Sequence, residues 1–292
     1  MTPRVLVVGD VIDDVLVRPE GPVRDDTDTP SRIERVPGGS AANTACWLAV
    51  TGAAATLVAT VGAGDAARCG ADLARHGVVP RLGESAALPT GTIVVLSQGE
   101  RRTMLTDRGA NRATAPEAVT DALLSAHDHL HLTAHGFADE DRDERLSGLR
   151  DRAAAGGARR SVAPGSAGLL AEYGPARFRR VVAGVEVLVA SEAEAALLTG
   201  EPDAARAARA LAEDHALVAV TLGGKGALVR TDGQARFVPA VPAVLADPTG
   251  AGDAWVAGLL AGLADGASPW EAAGAAARLA ARAVEQVGAR PR

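Results

Sequence analysis

Residues 247–258 read DPTGAGDAWVAG. A glycine turn running into an apolar stretch predicts a helix from about Ala251 to Ala264, ended by Gly266. At such a start the unpaired backbone N–H groups and the positive end of the helix dipole face outward. Small residues let an anion approach those amides closely, so Gly250, Ala251 and Gly252 form a candidate phosphate site. Asp253 follows at once. A carboxylate placed there can accept the proton of an attacking hydroxyl, or it can simply complement the dipole.

Upstream, Arg4 to Asp10 (RVLVVGD) reads as a buried parallel strand whose carboxyl end opens into a loop, the place where α/β proteins bind ligands. Ser40 to Gly52 has helical apolar spacing, Thr56 to Val61 is a strand, and Asp65 to His76 is a helix ended by Gly77. Further strands are expected at His129 to Thr133, Val185 to Ala190 and Leu217 to Leu222, with helices between them. Ser268-Pro269-Trp270-Glu271 is a capping box with proline in the first turn of a last helix. This alternation predicts an α/β layered sheet. Two segments break the rhythm, about 14–37 with its prolines and 90–107 with two alternating runs around Gln98-Gly99-Glu100, and together they predict a small β lid. The expectation is one domain over 1–292 that carries the lid.

Composition narrows the function. A net charge of −6 argues against nucleic acid, which needs a basic stripe. The start of the chain lacks signal-peptide character and no apolar run reaches membrane-spanning length, so a cytoplasmic protein without membrane contact is expected. With three Trp, one Tyr and three Phe, the core must be built from Ala, Val and Leu, and aromatic sandwiching of a ligand is not expected. Cys46 and Cys69 read as reduced thiols on helices. Lys225 is followed by Gly226 instead of Ser or Thr, so Val220 to Leu228 is not a P-loop but a strand with a glycine turn, or a hairpin.

DPTGAGDAWVAG resembles the second signature of the PfkB or ribokinase-like carbohydrate kinases, and PGGSAANTACWLAVTGA (Pro37 to Ala53) resembles the first. The likeness extends to Gly9-Asp10 with Asp14, to Gly109-Ala110-Asn111 and to Thr221-Leu222-Gly223-Gly224-Lys225-Gly226. It implies a ribokinase-like three-layer sandwich with a β lid and an enzyme that transfers the γ-phosphoryl group of ATP to a hydroxyl of a sugar or sugar acid. In that family Asp253 would be the catalytic base beside the Gly250, Ala251 and Gly252 amides. Asp14, Gly38, Gly39, Asn43 and Asn111 would meet the substrate, and Thr221, Gly223, Gly226 and Thr249 would lie by the nucleotide. A carboxylate and an amide at strand-end loops suit vicinal hydroxyls, which agrees with Asp14 and Asn43.

The same resemblance gives Glu194 a water-mediated role toward Mg2+, although Ser191 stands where relatives usually carry Asn, and Ser-x-x-Glu is equally a capping box. Asp247, with Thr249, lies where some relatives bind a monovalent cation such as K+. Arg108 lies where ketodeoxygluconate kinases aim an arginine at an acidic sugar, or it pairs on the surface with Asp107. Lids of some relatives pair into a homodimer. Two rivals stand beside the sugar kinase. One is a nucleoside kinase, which lacks any lid aromatic for stacking and would depend on Phe137; the other is a catalytically silent binder on the same fold. His127, His129 and His131 share one face of a strand and could ligate zinc, but no acidic or cysteine partner lies at a typical spacing.

Overall fold

The structure, a computed structural model, describes residues 2–98, 101–114, 116–136 and 143–292. β1 (Arg4–Val8) leads into β2 (Ile12–Pro19) and β3 (Ser31–Gly38), followed by α1 (Ser40–Val50), β4 (Ala54–Gly62), α2 (Ala66–Arg75) and β5 (Val79–Ser85). After β6 (Gly91–Gln98) and β7 (Arg101–Asp107) come α3 (Asp121–Ser125), β8 (His129–Thr133), α4 (Asp143–Ala155) and β9 (Arg159–Ala163). The chain continues through α5 (Ala167–Tyr173), α6 (Pro175–Val182), β10 (Val187–Ser191), α7 (Glu192–Thr199), α8 (Ala204–Leu211) and β11 (Leu217–Thr221). It closes with β12 (Gly226–Thr231), β13 (Gln234–Pro239), α9 (Ala251–Ala264) and α10 (Pro269–Val284).

Nine strands form one sheet in the order β13-β12-β11-β10-β9-β8-β1-β4-β5. From β5 to β11 every pairing is parallel, and β12 and β13 add an antiparallel edge. One apolar layer joins the sheet to α1, α9 and α10, and the opposite layer joins it to α4 through α8. The strands are short β-branched runs because both faces are covered. Strand order reverses at β1, whose neighbours are β4 and β8, and ligands of open α/β sheets bind at such a point.

The segments read as a lid form a separate four-stranded sheet in the order β3-β2-β6-β7, with β2 and β6 parallel. Ile12, Asp14 and Leu16 point to its buried face, while Pro19 ends β2 and Pro30 precedes β3, positions where a missing N–H costs little. The hairpin residues Gly99 and Glu100 lie outside the described residues. Val220 to Leu228 resolves as the hairpin of the two earlier readings, with β11 turning back antiparallel to β12 through a 3-10 turn at Gly223–Lys225. Cys46 and Cys69 are buried free thiols. Among the described residues no helix is long and apolar enough to cross a membrane.

With few aromatics, tight helix packing has to come from small residues. A Cβ on Gly258 of α9 would lie 2.7 Å from the Ala276 Cα of α10, and one on Gly262 would lie 2.8 Å from the Ala272 Cα. On Gly274 of α10, by contrast, a Cβ would meet only the end of Arg278, at 3.6 Å. Replacing glycine by alanine inside a helix gains about 1 kcal/mol of propensity, whereas forcing a methyl into helix backbone costs about 1–3 kcal/mol. Gly258→Ala is therefore expected to lower the urea midpoint and Gly274→Ala to raise it. A stabilised Gly258→Ala variant would show that α9 and α10 are not packed at this distance.

Candidate active site

Asp10, just past the carboxyl end of β1, supplies the cap that α1 lacks. The N-cap of that helix is Gly39, which has no side chain to offer. The Asp10 carboxylate instead accepts from the amides of Ser40 at 2.9 Å and Ala41 at 3.0 Å, and from the Thr133 hydroxyl at the end of β8 at 3.0 Å. A capping bond that joins three elements fixes the N-terminus of α1 at the point of strand reversal.

The first turn of α1 then meets the first turn of α9. Ser40 Oγ donates to Asp253 Oδ1 at 2.5 Å, and Asn43 Nδ2 donates to Asp253 Oδ2 at 2.9 Å. Burial pushes the Asp253 carboxyl up to about 7; the two donors pull it down, and the negative charges of Asp10 and Asp14 push it further up. Asp14 is also raised to about 7, chiefly by burial and then by Asp10, with Arg290 opposing. It is buried, yet its carboxylate accepts from no described residue. It packs so closely on Gly38 that a Cβ there would lie 2.2 Å from Asp14 Oδ2. Two carboxyls poised near neutrality thus lie close enough for the charge of Asp14 to act on Asp253, which α1 holds through Ser40 and Asn43.

On the other side of Asp253, Gly250 takes the left-handed conformation (φ 81°, ψ −1°) that turns the chain into α9. No cap side chain occupies the first-turn amides, and a Cβ on Gly252 would project into open space. A cavity of about 550 Å³ begins here, lined by Ala251, Gly252 and Trp255 from α9 and by Thr221, Gly223 and Gly226 from the hairpin. Its size suits a nucleotide-sized ligand. Its walls toward α10 are the small side chains of Ala277, Ala280 and Ala281. Anion-binding amides, a near-neutral carboxylate and a hydroxyl-accepting carboxylate in sequence can carry a phosphoryl group from a ligand in the cavity to an alcohol beside Asp14.

The structure therefore brings together Asp14, Gly38, Asn43, Asp253 and the glycine turn, and it places Thr221, Gly223 and Gly226 on the cavity. Other expected site residues make contacts of a different kind. The Asn111 side chain is committed to the Val11 backbone, accepting from its amide and donating to its carbonyl, both at 3.0 Å. Gly39, at φ 99°, sits against the Asp10 backbone. The amide and hydroxyl of Thr249 donate to Asp247 Oδ1 at 2.9 and 2.6 Å, and Gly288 N donates to Oδ2 at 3.1 Å. Ser191 and Glu194 form a complete capping box on α7, with Ser191 N donating to Glu194 Oε2 at 2.7 Å. Ser191 also pairs in register with Thr221, which sets Glu194 at the same end of the sheet as the cavity. Arg108 Nη2 donates to the His135 carbonyl at 3.0 Å.

The zinc alternative for the histidine row does not survive the geometry. His129 Nε2 and His131 Nδ1 bracket the Ser161 hydroxyl at 2.7 and 2.8 Å, and His127 lies against Thr56 and the Leu123 carbonyl. Burial lowers His129 and His131 to about 3, so both are neutral core residues. No group of three metal-type side chains occurs among the described residues. Phe137 lies outside them.

Three contributors escaped the sequence reading. Asp10 was legible as a strand end and as part of the family likeness but not as a cap, because the helix it caps begins 30 residues later. The Ser40 contact with Asp253 spans 213 residues. Arg290, which touches Asn43 and Gly38, sits in the segment after α10, where no periodicity marks it.

A family model described as "pfkB family carbohydrate kinase" matches residues 2–292. An ATP-dependent ribose-1-phosphate kinase from Halopiger xanaduensis is 32% identical over 264 residues, covering 88% of this chain and 84% of that protein. A Klebsiella pneumoniae fructokinase is 33% identical over 276 residues, covering 90% and 85%. Among solved structures, an E. coli protein assigned as a ribokinase II, in complex with ATP and Mg2+, superposes with a TM-score of 0.85 at 20% identity. That superposition covers 99% of this chain and 94% of the other, and at such identity it shows the fold.

The opposed influences on Asp253 can be separated by carboxyl ¹³C NMR. Asp253 is expected to titrate near 7, and in Ser40→Ala, which removes one stabilising donor, its midpoint should move upward. A wild-type midpoint near the ordinary carboxylate value of about 4, or a downward shift in the variant, would contradict this account of the site.

Proposed function

Because the chain belongs to the pfkB family of carbohydrate kinases, we propose that it transfers the γ-phosphoryl group of ATP to a hydroxyl of a sugar or sugar acid, with Asp253 as general base. The observation that carries this reading is Asp253 itself, a carboxyl near neutrality, pinned by Ser40 and Asn43 at the positive end of α9. A base poised close to the working pH is favoured for moving a proton in the transition state.

In this mechanism Asp14 and Asn43 orient the acceptor. Each carboxylate oxygen of Asp253 has a second lone pair, so Asp253 can take the acceptor proton while Asn43 remains bound. The acceptor oxygen forms its bond to the γ-phosphorus as the bond to the β–γ bridging oxygen breaks, and ADP leaves. The amides at Gly250, Ala251 and Gly252 stabilise the charge on the group in transfer. Mg2+, when bound, supplies charge neutralisation at the phosphates, and Glu194, a buried carboxylate at the same sheet end, would hold it through water; a hard ion that keeps several waters needs few protein ligands. K+ belongs to the proposal through Asp247, which ties the glycine turn to the loop at Gly288. Lid pairing belongs to it through Ile33, Met104 and Leu105, which are 61–62% exposed on the lid. A cytoplasmic setting, where ATP is available, completes the reading.

An ADP-release panel of D-ribose, D-fructose, ribose 1-phosphate, 2-keto-3-deoxygluconate, adenosine and cytidine tests the proposal. It is run in potassium and in choline buffers, with light scattering on the same sample. Turnover of a sugar or sugar acid, faster in potassium and by a dimer, is expected. Turnover of nucleosides alone would replace the acceptor class, and no ADP release with any acceptor would leave a binding protein. Equal rates in choline would remove the cation, and a fully active monomer would remove lid pairing.

A further inference from the structure

Arg290 is 7% exposed, and arginine is rarely buried unless every part of its head is engaged. Here it is. Nε donates to Asn43 Oδ1 at 3.3 Å, Nη2 donates to the Gly38 carbonyl at 2.8 Å, and Nη1 pairs with Asp72 of α2. The backbone that carries it is anchored on both sides of the side chain. Trp47 Nε1 donates to the Ala289 carbonyl at 2.8 Å, and Gln286 Nε2 donates to the carbonyl of Arg290 itself at 2.8 Å.

The contact with Asn43 decides which way that amide faces. A guanidinium can only donate and a carboxylate can only accept, so between Arg290 and Asp253 a single orientation of the Asn43 amide is satisfied. With Oδ1 toward Arg290, Nδ2 is presented to Asp253 at 2.9 Å. The reverse orientation would set N–H against N–H on one side and oxygen against oxygen on the other. The second contact holds the carbonyl of Gly38, the residue on which the Asp14 carboxylate packs. One cation thus reaches both Asn43 and the backbone against which Asp14 packs. Burying an ion pair for stability alone returns little, which favours a reading in which the geometry it fixes is what matters.

Resting on the kinase reading above, we propose that Arg290 is a positioning residue of the transfer step, aiming the Asn43 amide at Asp253 and fixing the Gly38 carbonyl beside Asp14. It acts through these groups and does not touch the reacting atoms.

The test is a double-mutant cycle, measured with the acceptor that the wild-type protein turns over fastest in the panel. Arg290→Ala would empty the buried space of the guanidinium and leave Asp72 to Arg75 alone, so Arg290→Gln, which keeps the stem and an N–H donor, is the working variant, with Arg290→Lys as the conservative replacement. A single cooperative thermal transition above the assay temperature establishes that each variant is folded. Arg290→Gln is expected to lower kcat by about 10–100-fold with the KM for ATP unchanged within about threefold, and Arg290→Lys should fall between it and wild type. In an Asn43→Ala background, where there is no amide to orient, the same change should cost less than about threefold, since residues acting as a unit are not additive. An unchanged kcat, or an equal loss in both backgrounds, overturns the proposal while leaving the kinase intact. Absence of any turnover by the wild type is a different result, which fails the kinase reading and takes this proposal with it.

Discussion

Two helix N-termini meet at one carboxylate. Asp253 opens α9 and is gripped by Ser40 and Asn43 from the opening turn of α1, so residues 210 and 213 positions apart are locked by two hydrogen bonds. Three further features hold this junction in place. Asp10 fixes α1 to the carboxyl ends of β1 and β8, and the glycine stripe of α9 lets α10 pack behind it. Asp247 joins the glycine turn to the loop after α10. The sheet supplies rigidity, and the helix ends supply the field.

The junction is electrostatically tense. Burial raises the Asp14 and Asp253 carboxyls, and the charge of Asp10 pushes both further up, with Asp14 adding to the effect on Asp253. Each is treated differently. Asp10 spends its charge on two helix amides and a threonine, Asp253 is balanced between burial and two donors, and Asp14 accepts from no described residue. The positive ends of α1 and α9 and the buried Arg290 are the counterweights. A site arranged this way holds a proton loosely, which general-base chemistry requires.

Much of this was legible before any coordinates. The DPTGAGDAWVAG turn gave its helix, the Ser268 capping box gave the next one, and hydrophobic period separated buried strands from helices because both faces of the sheet are covered. The lid was readable from the failure of that rhythm over 14–37 and 90–107. What stayed hidden has a common cause, since side-chain bonds across hundreds of residues leave no local pattern. The Asp10 cap on α1 and the grip of Arg290 on Asn43 are of this kind. Asn111 shows the converse, a polar residue in a suggestive motif whose amide is committed to the Val11 backbone. The histidine row was ambiguous for a third reason: alternation revealed a shared face but not that Ser161 would fill the space between two of the rings.

The central claim is that the Asp253 carboxylate moves the proton, and its most direct test is Asp253→Asn, which keeps the shape and one of the two acceptor oxygens but cannot serve as the base. The measurement pairs ATP binding by calorimetry with single-turnover phosphoryl transfer to the preferred acceptor. The account predicts a loss of about 10²–10⁴-fold in the transfer rate, the usual worth of a general base, with ATP affinity nearly unchanged. Transfer within a few-fold of wild type would remove Asp253 from the chemistry and contradict the account.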